Sequence, residues 1–517
     1  MTTIIQKIRD FPPRYLLILA LIGLGLAYNF SGILPLEPQG RHHWRQTDCA
    51  SFAWNYYNGN GNLFTPAMNN VLSNGKGQAV AEFPVIYWVS GMLYRLFGPH
   101  VFILRLINIL IVFSGLWALS GICKNLIDDS FWSIFIPLLV YTSPFFVYYS
   151  SGFIPDPPAI ALCMWAWYFI SAYILSKKKK HFIVAILFFT LAALIKVSAA
   201  ISIVVCVIIV LGNRLIYSRL KNGNPSVFYQ KTWVYLLYFL GAVMVIITWY
   251  MYASWYSTRF EYNHFTGIIR PIYQTSTENI TRILRDIRTQ LPYFYMPTMH
   301  IFLGGLFVYI ITQYKKVRYE LLIIPILLSI GGFIYLSIFF QLIGGHEYYH
   351  LINMLAVASI LIVSAYIFSN KHPNISQHWI TRTLLIGFLL ANVLYSREKM
   401  KEYYDPNNAY HREKTAFYED DFRQYLSSIG LKEDQYIISI PDRSPNNTLY
   451  LLKKRGWSSF NNPKHYGEVM QKWTGNFGDI FLIVSDSTTL SDSLLQPALY
   501  HKIGTYQEIQ IYLLEKK

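Results

Sequence analysis

The chain has 517 residues, 53% hydrophobic and 14% charged, where a soluble protein carries roughly a quarter charged residues. Apolar runs near or above about 18 residues recur along it, which excludes an ordinary soluble fold and predicts membrane spans. The net charge of +16 does not point to nucleic acid, because much of it sits in short links between apolar runs.

Taken in chain order, Lys7, Arg9 and Arg14 precede an apolar run from Tyr15 to about Leu34. That run is longer than a signal-peptide core and lacks a small-x-small cleavage pattern, so it reads as a retained anchor. Further spans are expected near 101–122, 131–150, 157–175, 182–194, 197–213, 233–252, 299–314, 321–340, 351–369 and 379–395. With 15–35 they make about eleven. The stretch 182–211 is too long for one untilted span, and Lys196 near its middle would be costly in lipid, so two spans should meet there.

Charge then orients the chain. Lys124, Lys177 to Lys180, Arg214, Arg219, Lys221, Lys315, Lys316, Arg318 and Lys371 all fall on one side if the N-terminus is inside, as the positive-inside rule asks. The outer side receives 36–100, Ser150 to Pro158, the neighbourhood of Lys196, 253–298, Gln341 to His350 and everything after about 396. Past Ser396 charged residues become frequent and apolar runs shrink to strand length, at Tyr436 to Ile440, Ile480 to Val484 and Ile509 to Leu514. Helical patterns over Glu413–Ile429 and Asn447–Arg455 lie between them. The expectation is an α-helical integral membrane domain over 1–395 with a small extracytoplasmic α/β domain over 396–517.

The polar residues that could carry chemistry collect in the outward segments. Asp48 ends the stretch Arg41-His42-His43-Trp44-Arg45-Gln46-Thr47-Asp48, a carboxylate among two arginines and two histidines. The following CASFAWNYY, Cys49 to Tyr57, has aromatics at helical spacing and fits an interfacial helix. Asp48 either caps that helix with Thr47 or acts as a base, and a cap does not need Arg45, His42 and His43. Asp156, in Pro155-Asp156-Pro157-Pro158, is an ordinary helix start or a second functional carboxylate. Lys196 is a snorkelling residue or a point-charge ligand for phosphate. Arg259 and Arg270 are further phosphate candidates. His346-Glu347-Tyr348-Tyr349-His350 precedes an apolar run, as an interfacial cluster or as the lining of a sugar or acceptor pocket.

Cys49, Cys123, Cys163 and Cys206 lie in separate segments with no metal or disulfide spacing. No cofactor is demanded. A divalent metal held by Glu82 with His346, Glu347 or His350 is the one candidate, on a spacing that is not diagnostic.

These features have a familiar order: one span, a long external loop with an early Asp, then Glu82-Phe83-Pro84-Val85-Ile86-Tyr87-Trp88 running into Leu93-Tyr94-Arg95-Leu96-Phe97-Gly98. Over roughly 10–395 the chain resembles the GT-C membrane glycosyltransferases of the protein O-mannosyltransferase and lipid A aminoarabinose transferase type. The resemblance implies that Asp48 and Asp156 match the aspartates of the first and second external loops. It likewise implies that Lys196 matches the lysine of a Leu-Thr-Lys-like turn, and His346 to His350 a polar-Tyr-Tyr-Leu stretch. It further implies transfer of a sugar, with inversion, from a polyprenyl-phosphate donor to a hydroxyl or phosphate acceptor at the outer face of the plasma membrane.

Two departures stand out. The aminoarabinose type has a basic residue followed by Pro near Glu82, where this chain has Phe83. The mannosyltransferases carry an Asp-Glu pair where Cys49 follows Asp48. A lipid or glycan acceptor and a bacterial undecaprenyl carrier therefore fit better than a protein acceptor.

The chemistry of the residues agrees. A phosphate leaving group on the donor needs no nucleotide fold, and the chain has no Gly-rich nucleotide loop. It needs a carboxylate to take the acceptor proton and cations to stabilise the departing phosphate. Rival readings are a diphosphate-dependent glycan ligase or polymerase, a transporter or flippase, and a membrane-anchored sensor.

Overall fold

The computed structural model describes residues 13–71, 75–80, 82–217, 232–260, 269–314, 317–407, 413–442, 444–458, 477–491, 493 and 495–515. Lys7, Arg9, Arg219, Lys221, Lys315 and Lys316, named above, lie outside them.

Among the described residues six helices are long and apolar enough to cross a membrane: Phe102–Ile127, Asp156–Ser176, Thr232–Arg259, Tyr319–Ile338, Glu347–Lys371 and Trp379–Tyr403. Two bent pairs join them, Ser130–Val140 with Pro144–Ser150 at 78° and Thr277–Phe294 with Pro297–Thr312 at 94°. The first bend has a local cause. Ser143 caps the second piece by accepting from the Phe146 amide, and Pro144 follows it, a pairing that starts a helix rather than continuing one. The expected break at Lys196 is present, since Lys179–Ile195 ends there and Ala200–Tyr217 follows a short 3-10 turn. The first run is shorter than expected. Pro13–Ala27 stops before Asn29, whose φ of 61° interrupts the helix ahead of Phe30–Ile33.

Small residues let the helices close up. At Gly115 an added Cβ would come within 2.5 Å of Ala161 Cβ, so Phe102–Ile127 and Asp156–Ser176 meet nearly backbone to backbone. On the end carrying the lysine-rich links, Asp129 caps Ser130–Val140 through Phe131 N at 2.8 Å. Its other oxygen takes Arg382 Nη2 at 2.5 Å.

The helix of the first long loop, His43–Tyr57, differs from expectation. It is buried along most of its length, on both its polar and aromatic sides, and does not lie free on a surface. Helix Val85–Phe97 presses on it through Gly91, where a Cβ would fall 2.5 Å from Tyr56 Cβ. The C-terminal helix Asn447–Leu451 packs on it as well.

The C-terminal region holds a five-stranded sheet of order β2-β1-β3-β5-β4: β1 Ile437–Ile440, β2 Gly456–Ser458, β3 Ile480–Val484, β4 Lys502–Tyr506 and β5 Ile509–Leu514. β1 pairs parallel with β2 and β3, while β5 pairs antiparallel with β3 and β4. The apolar runs of β1, β3 and β5, largely buried, are the ones the sequence pattern predicts as strands. β2 and β4 are not among them, being short and, in β4, largely exposed. The pattern over 413–429 becomes Thr415–Tyr418 and Asp420–Ser428, and that over 447–455 stops at Leu451. Lys453, at φ 56°, turns the chain into β2. The composition change at 396 falls inside helix Trp379–Tyr403, so the last span runs on into the C-terminal region without a linker.

Candidate active site

Four segments deliver charged groups to one place. Helix His43–Tyr57 contributes Arg45 and Asp48, and Asp48 is 2% exposed. The helix starts at His43, with His42 in the left-handed region ahead of it. Asp48 therefore lies past the first turn and caps nothing, which corrects the helix-cap reading. Glu82 follows in the chain and pairs with Arg45 Nη2. Its neighbour Phe83 donates its amide to Leu194 O at 2.9 Å, and Tyr250 Oη reaches Ala193 O at 3.1 Å. These contacts satisfy the carbonyl end of Lys179–Ile195, which fixes where Lys196 emerges.

Asp156 is the first residue of its helix and makes no cap bond. It faces Lys196 instead, Nζ to Oδ2 at 3.2 Å. The turn leading to Asp156 is held by Arg105, fully buried, with Nη1 on Ser151 O at 2.6 Å, and by Asn108 Nδ2 on Gly152 O at 3.0 Å.

The aromatic wall comes from 346–349. Lys196 Nζ sits 5.6 Å from the Tyr348 ring centre and 5.8 Å from that of Tyr349, within cation–π range. His42 packs edge-on against Tyr348 at 5.5 Å and against Trp44 at 5.1 Å, with His346 at 5.7 Å.

Electrostatically the cluster is poised. Burial pushes the Asp48 carboxyl up to about 7, against the opposing pull of Arg45 and of the amide of Asn446. Burial acts on Glu82 too, but Arg45 and Lys196 outweigh it and hold its carboxyl below the usual range. Burial, with Arg45 and Lys196 beside it, lowers His346 to about 4, so near pH 7 it is a neutral ring. Arg45 and Lys196 are thus paired with Glu82 and Asp156, which leaves Asp48, among the described residues, without an ion-pair partner of its own beside them.

The remaining candidates fall elsewhere. Glu347 is fully buried and turned the other way, into a clasp. Arg41 Nε meets its Oε2 at 2.7 Å, and the Tyr149 and Tyr403 hydroxyls donate to its Oε1 at 3.0 and 3.1 Å. His350 packs edge-on against Phe294 at 5.0 Å. His43 is buried with Glu413 at 3.9 Å. Arg259 and Arg270 are exposed, and no hydrogen bond or ion pair among the described residues joins either to the cluster. Nor do the described residues contain a group of three His, Cys, Asp or Glu side chains able to hold a metal. The Glu82–His346 metal candidate fails because Glu82 is engaged by Arg45 while Glu347 and His350 face away.

Sequence reasoning missed Arg41 as half of the clasp, and Asn446, whose Nδ2 donates to Asp48 Oδ1 at 2.8 Å. A cavity of about 170 Å³ between helices Phe102–Ile127, Asp156–Ser176 and Tyr319–Ile338 is lined almost wholly by apolar side chains such as Leu119, Met164 and Leu328. It contains none of the groups above.

A family model described as dolichyl-phosphate-mannose-protein mannosyltransferase matches residues 81–252. No curated protein matches the chain by sequence. Among solved structures, ArnT from Cupriavidus metallidurans in the apo state aligns with a TM-score of 0.60 at 13% identity, over 96% of this chain and 97% of ArnT. ArnT bound to undecaprenyl phosphate aligns at 0.60 and 14% over the same shares. The arabinofuranosyltransferase AftD from Mycobacteria gives 0.54 at 12%, over 98% of this chain and 40% of AftD. The oligosaccharyltransferase of Archaeoglobus fulgidus in the apo form gives 0.51 at 11%, over 90% and 69%.

The chain is a membrane protein with the GT-C glycosyltransferase fold. The resemblance read from its residues is borne out, and the glycosyltransferase reading rests on the family match and the fold together.

Proposed function

We propose that the chain transfers a sugar from a polyprenyl-phosphate donor to a lipid or glycan acceptor at the extracytoplasmic face of the plasma membrane, with Asp48 as general base. The observation that carries this is a buried carboxyl pushed to about 7 beside Arg45, within a cluster whose other charges are already matched. A base of that proton affinity suits a hydroxyl acceptor near neutral pH. The acceptor oxygen gives its proton to Asp48 and attacks the anomeric carbon. The bond from that carbon to the phosphate oxygen breaks, the phosphate leaves with the electron pair, and the configuration inverts.

Arg45 and Lys196 would stabilise the departing phosphate as cations. Asp156 orients Lys196. Tyr348 and Tyr349, with His42 and His346 packed beside them, would line the sugar. An undecaprenyl carrier is supported by the fold shared with ArnT, one structure of which is bound to undecaprenyl phosphate. Eleven spans with the C-terminal domain outside complete the topology, supported by the basic links at the opposite end from the cluster.

The test uses purified protein with a panel of labelled polyprenyl-phosphate sugars and a membrane-lipid or glycan extract as acceptor. Acceptor-dependent release of polyprenyl phosphate, lost in Asp48→Asn, is the expected result. Activity only on diphosphate-linked glycans would overturn the reading in favour of a ligase or polymerase.

A further inference from the structure

Asp48 is touched from 398 positions away in sequence by a side chain of the C-terminal region. Asn446 is completely buried, and the direction of its amide is dictated by its surroundings. Its Oδ1 accepts the backbone amide of Asn70 at 2.9 Å. A backbone N–H can only donate, so the oxygen of the Asn446 amide must face Asn70 and its nitrogen must face Asp48. The Asp48 carboxyl therefore receives a fixed N–H at 2.8 Å.

The turn that presents Asn446 is itself pinned. Asp442 accepts from Ser444 N at 3.0 Å, from Thr448 N at 2.8 Å and from Thr448 Oγ1 at 2.6 Å. Ser444 Oγ in turn accepts from the amides of Asn446 and Asn447.

Docking of the C-terminal region does not depend on this contact. The first-loop segment carrying Asn70 pairs with β2 through Val71 N to Gly456 O at 2.8 Å and Gly456 N to Asn69 O at 3.0 Å. Lys453 reaches Glu37 at 2.8 Å, and Arg455 Nη2 reaches Lys76 O at 2.7 Å. With the interface held by those bonds, the Asn446 amide is directed at the one group the proposed chemistry needs.

We infer that Asn446 is a positioning residue for sugar transfer: the C-terminal domain supplies an amide that fixes the Asp48 carboxylate and favours its ionised form. This rests on the reading of Asp48 as base. The other groups facing Asp48 are Arg45 and Cys49 from its own helix, Glu82 from the segment after it, and Tyr87 from helix Val85–Phe97 through Cys49 at 3.1 Å. Of the ionisable groups, Arg45 favours ionisation while Glu82 opposes it. An N–H donated to the charged form adds to the side of Arg45. Without it the carboxyl holds its proton to higher pH.

The experiment is an infrared pH titration of the detergent-purified full chain, with the Asp48 carboxyl band assigned by its absence in Asp48→Asn. It is run on the unmodified protein, on Asn446→Leu and on the smaller change Asn446→Ser, alongside kcat/KM at each pH. The expected result is an upward move of the Asp48 midpoint by about one pH unit in both variants. Below the midpoint this lowers kcat/KM about tenfold, recovered on raising the pH, with the donor KM unchanged. Thr448→Val, which loosens the turn without touching Asp48, gives a smaller move in the same direction.

A midpoint that stays put while activity falls equally at all pH values would overturn the inference and leave Asp48 as base. Absence of transfer from every donor would instead sink the functional reading. The infrared midpoints would still decide whether Asn446 governs Asp48.

Discussion

Arg41 and Arg45 lie one helical turn apart in the same loop and each meets a buried glutamate, yet the two sites are built on opposite principles. Around Arg41, Glu347 meets the guanidinium at Oε2 and the Tyr149 and Tyr403 hydroxyls at Oε1. Around Arg45, Glu82 is matched but Asp48 is left over, buried with an amide and a shared cation and pushed to about 7. Glu347 ties segments together, here the first loop, the 347–353 turn and the last span. Asp48 instead lies within the cluster of Arg45, Glu82, Asp156 and Lys196, where a perturbed carboxyl is a candidate for proton exchange. The same residue types thus give two arrangements, and the distinction lies in the partners: a guanidinium and two tyrosine hydroxyls around Glu347, an amide and a shared cation around Asp48.

That contrast can be broken at either site. The largest effect expected is on activity. Asp48→Asn should cost about 10²- to 10⁴-fold in kcat, the range of a lost general base, with the fold intact. Glu347→Gln should do the reverse. It leaves the half-buried Arg41 guanidinium without its counter-charge, at a cost of about 1–3 kcal/mol read as earlier thermal unfolding in detergent, while turnover per folded molecule persists.

Lys196→Met removes a charge-assisted bond of about 1.5–3 kcal/mol. Polyprenyl phosphate binding should weaken roughly 10- to 100-fold, measured by titrating the lipid. The pH dependence sharpens the comparison further. The folded Asp48 binds its proton up to about 7 instead of the ordinary 3.8, so kcat/KM should rise through pH 7 as it ionises. Stability runs the other way: the raised value favours the fold below 3.8, and that contribution is lost as pH climbs through about 7. Asp48→Asn should therefore be at least as stable as the unmodified chain at pH 8. Smallest of all, Arg259→Ala and Arg270→Ala should leave donor binding within about twofold, because both side chains lie exposed and away from the cluster.

The outcome for each residue follows from what a linear pattern can carry. Asp48, Asp156, Lys196 and Arg45 were legible because a charge beside or inside an apolar run is costly and so announces itself. The break at Lys196 and the three buried strands were legible for the same reason, as departures from or runs of a period. Arg41 looked like one more basic residue near Asp48, since nothing local says that its partner is Glu347 rather than a phosphate. Glu347 and His350 were assigned to the pocket because 346–350 was read as one cluster. The 3-10 turn Glu347–Asn353 points successive side chains in different directions, sending Tyr348 to Lys196 and Glu347 to Arg41. Asn446 had no signal at all. An asparagine in a polar stretch is a turn residue by default, and a bond spanning 398 positions has no signature in spacing.

The most direct test of the contrast measures thermal unfolding and turnover together on Asp48→Asn and Glu347→Gln, in one detergent and with one donor. The account predicts a folded, inactive protein in the first case and an active protein that unfolds earlier in the second. An Asp48→Asn chain that keeps full turnover, or that loses activity only because it unfolds, would contradict it.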